Sequence, residues 1–368
     1  MIWILLSAAA LVQTLALGLV LTPVARALAE RLGLLDRPGI PRKLHSVPIP
    51  RSGGLAVFAA FWGALWINVA IGVWVVPQLG FLPESVRSVA ANIPMRLGQL
   101  VGVFLGSLTI FVLGLLDDRL DLSPKLRLVI QILACVPLLF SGVVLKLFLP
   151  IWLAWPLTIL WLVFLTNSFN FLDNMNGLTG GVSTAICLVM ALLAGLSREW
   201  YMMLIFCLLA GAALGFLRYN FPKASIFLGD CGSTHFGFLL GSLAILSTYW
   251  QEGVPTQLPI LIPLVVFGVP IFDTISVMWI RYRLRQPFMV GDRNHISHRL
   301  EALGMSRPEA VIFICGASFV LGIAALPLRV LEWRHGIIQA ALIGLIFLML
   351  HWLERVSYRR RSAGDNAS

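Results

Sequence analysis

Residues 98–118 read GQLVGVFLGSLTIFVLGLLDD: nineteen residues without a charge, then two adjacent aspartates. A helix needs about 20 apolar residues to cross the hydrocarbon core of a bilayer. This stretch is therefore read as a span near 98–116 whose end delivers Asp117 and Asp118 to water. Reading outward gives roughly eleven such spans, near 2–24, 53–76, 98–116, 128–148, 150–166, 178–196, 201–217, 236–250, 259–280, 310–328 and 337–353. The break near Pro150 separates two of them only narrowly. The chain is 59% hydrophobic and 12% charged, with a mean hydropathy of +0.90. A water-soluble domain of 368 residues could not hide that much apolar surface. The fold expected is all-α and polytopic, with a single transmembrane catalytic domain over 1–354 and a partly disordered basic tail over 355–368.

The net charge of +10 is confined to short loops between apolar runs. Nucleic-acid binding is set aside, because no basic stripe or stacking motif accompanies it. One set of alternate loops carries more than three times the Lys and Arg of the other, so that set is expected to be cytoplasmic. The N-terminus then lies outside, the C-terminus inside, and an odd number of spans follows. The first segment has no basic n-region and is read as a retained helix rather than a cleaved signal. Arg355 to Arg361 read as a headgroup anchor. The five cysteines imply no disulfide framework.

Five polar clusters fall on the expected cytoplasmic side. Residues 36–54, DRPGIPRKLHSVPIPRSGG, form a Pro- and Gly-broken loop whose Lys43 and His45 are candidates for anion binding. Asp117 and Asp118 repel each other where an apolar helix ends, a cost that a divalent cation or paired bases would offset. In Asn167-Ser-Phe-Asn170-Phe-Leu-Asp173-Asn174-Met-Asn176-Gly177, polar residues recur every three positions along one helical face before the chain turns. They suit recognition of a polar ligand or support of a metal. Phe227-Leu-Gly229-Asp230-Cys-Gly232-Ser233 leads into a helix whose free N–H groups are expected to meet phosphate, with Asp230 placed to hold a metal. Asp292-Arg-Asn-His295-Ile-Ser297-His298-Arg299 groups donors for phosphate. A zinc site there lacks a third ligand. Asp273, about two turns inside a span, reads either as functional or as half of an ion pair.

In this order, the clusters resemble the polyprenyl-phosphate N-acetylhexosamine 1-phosphate transferases along nearly the whole chain. The Arg42-Lys43-x-His45 string, with Gly53-Gly54 beyond it, is similar to the WecA-type branch, which makes polyprenyl-diphospho-N-acetylglucosamine. That family's loop usually reads His-x-His-His-Arg, and here Ser297 stands at the middle histidine. The sister branch that transfers phospho-N-acetylmuramoyl-pentapeptide typically has three consecutive histidines, which are absent.

The resemblance implies attack by a polyprenyl phosphate, such as undecaprenyl phosphate, on the β-phosphorus of a UDP-N-acetylhexosamine, with UMP released. It implies Mg²⁺, or Mn²⁺, as cofactor and the inner (plasma) membrane as location, with the site facing the cytoplasm. By analogy a homodimer is also expected. Asp230 is the leading metal ligand, with Asp173 supporting it. Asp117 and Asp118 are candidates for a base or for further metal contacts, with charge positioning the role favoured. His295, His298 and Arg299 would hold phosphate oxygens, and Asn167, Asn170 and Asn174 would orient nucleotide or sugar. A transporter of lipid-linked sugars is the rival from another class, but transporters usually collect polar residues at the midplane.

Overall fold

A computed structural model describes all residues except 37–47, 146–148, 248, 250–255, 287–293 and 366–368; side chains at 350, 351 and 353–365 are also not described. The chain is almost entirely helical. In order come α1 (Ile2–Leu32), a two-stranded antiparallel ribbon of β1 (Leu35–Asp36) and β2 (Ile49–Pro50), α2 (Gly53–Ala70), α3 (Glu84–Leu120), α4 (Pro124–Ala134) and α5 (Val136–Phe140). Then follow α6 (Ile151–Leu172), α7 (Leu178–Leu196), α8 (Trp200–Asn220), α9 (Asp230–Leu246), α10 (Ile262–Val266), α11 (Gly268–Arg283), α12 (Ile296–Ala302), α13 (Arg307–Ala325) and α14 (Trp333–Asp365).

Among the described residues, seven helices are long and apolar enough to cross a membrane, or eight if the bent pair Leu258–Val266 and Gly268–Arg283 forms one span. Many leucines, isoleucines and tryptophans on their outer faces are exposed, among them Ile4, Trp74, Trp152 and Leu160. Water would penalise such a surface, whereas lipid does not. Proline locates two departures from the sequence expectations. The run expected as one span over 128–148 is interrupted at Cys135 and resumes with Pro137 in the first turn of α5, ending at Phe140. The run expected over 259–280 bends by 69° between α10 and α11, with Pro270 early in α11. A proline ring removes a backbone donor and clashes with the preceding turn, so such breaks form there. The helix expected over 150–166 instead runs to Leu172, which places Asn167 and Asn170 on the helix itself.

Small residues set the closest helix crossings. Gly18 of α1 meets Gly215 of α8, and Gly114 of α3 meets the first turn of α9. A Cβ at Gly114 would lie 2.5 Å from the backbone of Cys231. Gly114→Ala should therefore push α3 away from α9. A loss of about 1–3 kcal/mol is expected, read as a lower melting temperature in detergent, together with loss of activity.

The ribbon strand β2 continues into a segment threaded between two others. Arg51 N–H donates to Leu34 O, Gly53 and Gly54 donate to Phe227 O and Leu228 O, and Phe227 donates to Pro50 O. The 49–54 segment is thereby stitched to the loop that precedes α9.

Candidate active site

Polar residues from the ends of several helices meet around a cavity of about 680 Å³. Its wall includes Asp118 at the end of α3, Arg127 and Gln131 of α4, and Asn167, Asn170, Asp173 and Asn174 at the end of α6. Asp230 at the start of α9, Arg281 at the end of α11, and His295 and His298 at α12 complete it, with Arg51 from the threaded segment. They meet at one end of the helical bundle, most of them at or near the terminus of a helix.

The two adjacent acids do different things. Asp117 is buried and forms an ion pair with Arg127 at 2.7 Å, while its other oxygen accepts from Leu122 N–H at 2.8 Å. It does not line the cavity. Asp118 accepts from the backbone N–H of Asp230 at 3.0 Å and of Cys231 at 3.2 Å. It thus caps α9 from a distant helix and satisfies two of that helix's orphan donors. The expectation that both leading amides stand free for phosphate is corrected here: Asp118 occupies them. Gly229 makes the approach feasible, since φ is 77° and a Cβ there would sit 2.7 Å from Asp118 Oδ2.

Capping by Asp118 leaves the Asp230 carboxylate for other partners. Asn170 donates to its Oδ1 at 2.9 Å and to Ser233 Oγ at 3.2 Å, and Arg127 lies 3.9 Å from its Oδ2. Asn167 exchanges hydrogen bonds with Gln131, donating at 2.8 Å. Asp173 ends α6 beside Thr179. Burial pushes its carboxyl up to about 7, and the Asp230 charge adds to the shift. A cation between such carboxylates would relieve that penalty. Gly177, at φ 80°, then turns the chain into α7 as the Asn-Gly pair predicted.

Across the cavity, His295 precedes α12. Its Nδ1 lies 2.8 Å from Asp273 Oδ2, and Ile296 N–H donates to Asp273 Oδ1 at 2.7 Å. The intramembrane acid is therefore one half of a pair with a loop histidine. Arg299 donates to Asn294 O and to Ser276 Oγ, the latter at 3.0 Å, and does not line the cavity. His298 lies 3.3 Å from Glu301, and burial lowers its pKa against the pull of that carboxylate. Ser297 is fully buried and donates to Asn174 Oδ1, while Asn174 donates to Phe171 O. Lys43 and His45 lie outside the described residues.

The sequence reading leaves several cavity residues out of the site, among them Gln131, Arg127, Arg51 and Arg281. Gln131 is a lone amide in an apolar run, which was a usable signal. Arg127 follows Asp117 by ten positions on the next helix, a relation no local spacing reveals. Arg51, paired with Asp36 at 3.0 Å, belongs to the 36–54 loop, in which the sequence reading puts Lys43 and His45 ahead of the arginines. Arg281 lies two helical turns after Asp273 on the same buried face, and its guanidinium sits 5.6 Å from the Phe171 ring.

Acids, amides, histidines and arginines gathered in one cavity of a helical membrane protein suit a charged, phosphate-bearing substrate. The model for glycosyl transferase family 4 matches residues 100–248. A Bacillus subtilis protein named probable undecaprenyl-phosphate N-acetylglucosaminyl 1-phosphate transferase is 32% identical over 329 residues, covering 87% of this chain and 84% of that one. A Mycolicibacterium smegmatis decaprenyl-phosphate N-acetylglucosaminephosphotransferase is 32% identical over 316 residues (78% and 74%). The undecaprenyl-phosphate alpha-N-acetylglucosaminyl 1-phosphate transferase of Salmonella typhimurium is 25% identical over 349 residues (90% and 85%). The chain belongs to this family of polyprenyl-phosphate N-acetylglucosamine 1-phosphate transferases.

Proposed function

We propose that this protein transfers N-acetylglucosamine 1-phosphate from UDP-N-acetylglucosamine to undecaprenyl or another polyprenyl phosphate, as the first membrane step of a cell-surface polysaccharide. The supporting observation is one cavity on which residues of all five sequence clusters converge at one end of the bundle. A lipid phosphate oxygen attacks the β-phosphorus, the bond from that phosphorus to the α–β bridging oxygen breaks, and UMP leaves with the oxygen. A phosphate monoester has a second pKa near 6, roughly, so the acceptor is largely dianionic at pH 7. A strong general base is not needed, and catalysis falls to positioning and charge stabilisation.

Among the described residues, no group of three His, Cys, Asp or Glu side chains could by itself hold a metal ion. Mg²⁺ does not require one, because it commonly binds through one or two carboxylates, with water and substrate phosphates completing the shell. Asp230 and Asp173 fit that donor set: both line the cavity, and Asp173 bears the cost of a buried charge next to Asp230. When bound, the cation would neutralise charge developing on the diphosphate.

The chain's own residues do the rest. Asp118 fixes the start of α9 and with it Asp230. Asp117 aims Arg127 at the cavity, where its guanidinium meets a phosphate oxygen. Asn170 orients Asp230, and Asn167, held by Gln131, faces the nucleotide or sugar. His295 and His298 approach phosphate oxygens from the opposite wall. Arg299 acts from behind, holding α12 to α11 through Ser276, while Asn174, on the cavity wall, faces the donor and is held by Ser297 of α12.

To the seven long helices and the bent pair we add, as spans in our reading, the shorter stretches 124–140, Asp230–Leu246 and Trp333–Met349, which gives the eleven expected from the sequence. The positive-inside bias then puts the N-terminus outside, the C-terminus in the cytoplasm and the cavity on the cytoplasmic face of the plasma membrane.

The test is purified protein incubated with undecaprenyl phosphate and a panel of UDP-sugars, with EDTA or added Mg²⁺. Lipid product is expected from UDP-N-acetylglucosamine, abolished by chelation and restored by Mg²⁺. Product only from another UDP-N-acetylhexosamine would move the sugar, and product unaffected by EDTA would remove the metal. Ser297→Ala, which frees Asn174, should raise the donor KM about fivefold, the effect of one lost hydrogen bond. An unchanged KM would show that Asn174 does not depend on that contact.

A further inference from the structure

The histidine wall of the cavity is built on α11. Asp273, Val277 and Arg281 follow one another at four-residue intervals, and all three are buried. Asp273 is 1% exposed and lies inside an apolar helix, a costly place for a carboxylate unless its oxygens are satisfied. Both are engaged by neighbouring positions of the chain: Oδ1 accepts from Ile296 N–H at 2.7 Å, and Oδ2 meets His295 Nδ1 at 2.8 Å. Holding the backbone of Ile296 and the ring of His295 together fixes both where the residue sits and how its ring is turned.

An ionised carboxylate only accepts hydrogen bonds, so His295 must carry a proton on Nδ1. The imidazole is then the Nδ1–H tautomer when neutral, with Nε2 the atom left for the cavity that His295 lines. We propose that Asp273 is a positioning residue: from inside the membrane helix it fixes the tautomer and orientation of His295, so that Nε2 serves the phosphate-transfer site. The tautomer stands on geometry alone, and its service to phosphate rests on the proposed function.

The experiment separates the two. Protein labelled with ¹⁵N-histidine is measured by solid-state NMR in lipid, and the His295 signals are assigned by their loss in His295→Gln. In the wild type, Nδ1 should be protonated. In Asp273→Asn, whose amide can accept from Ile296 N–H while donating to the ring, the proton should move to Nε2. Identical His295 signals in the two proteins would overturn the tautomer proposal, whatever the protein's activity.

Turnover is measured in parallel. Asp273→Asn should lower kcat roughly 10- to 100-fold, with the donor KM changing less than threefold. Placed on His295→Gln, it should cost no further activity, because the two residues act as a unit. A full additional loss in the double variant would mean that Asp273 acts only through the fold. Wild-type protein that makes no lipid product would refute the proposed function and leave the NMR result standing. If Asp273→Asn does not accumulate in the membrane, Asp273→Glu is compared in the same way. It keeps the charge and shifts the ring, so it should retain the Nδ1 proton and lose kcat.

Discussion

Asp230→Ala is expected to lower kcat by a factor of about 10³ or more, the scale of removing a charge-organising group from phosphoryl transfer. It should do so with little change in melting temperature. The carboxylate does not hold the fold together, since Asp118 caps the helix that Asp230 begins. Asn170, its principal donor, keeps Ser233 Oγ as a partner at 3.2 Å. What the variant loses is the anionic group best placed to hold a cation against the substrate's diphosphate. Steady-state kinetics in detergent with a parallel thermal melt would check both halves. Turnover near wild type would remove Asp230 from the chemistry.

Asp118→Ala is expected to fail in the opposite pattern. Both of its oxygens accept backbone N–H groups at the start of α9, and no other described residue stands ready to replace them. An unsatisfied amide in a part-buried position costs about 1–3 kcal/mol, and two are exposed at once. The melting temperature should fall by several degrees, and activity should fall with it as Asp230 loses its anchor. Asp118→Asn keeps one acceptor and should sit between. A melting temperature equal to wild type, with activity lost, would instead give Asp118 a direct catalytic role. Adjacent in sequence to Asp117, it would then differ from its neighbour in kind rather than in partner.

Much of the candidate site could be read from the chain because its residues come in short runs whose periodicity survives in the fold. Asn167, Asn170 and Asp173 share a helical face, and all three reach the cavity. Gly229 and Gly177 mark tight turns and take positive φ. What escaped were relations between elements distant in sequence. Asp118 and the amides of Asp230 and Cys231 are separated by more than a hundred residues, so nothing local showed that the helix start is already capped. Arg127 and Arg281 carry no local signal of a site, and Gln131 only its polarity within an apolar run, because their meaning comes from packing against α3, α6 and α9. The helix ends were read with similar limits. Apolar runs show which segments suit lipid, but the breaks at α4–α5 and α10–α11 come from prolines inside those runs.

One measurement addresses the central claim directly. UDP-N-acetylglucosamine carrying ³²P in its β-phosphate is incubated with purified protein, Mg²⁺ and undecaprenyl phosphate, and the lipid and nucleotide fractions are separated. Transfer of sugar phosphate puts the label in the organic phase and leaves unlabelled UMP in water. Label retained in water as UDP, with sugar alone on the lipid, or label that never leaves the intact donor, would contradict it.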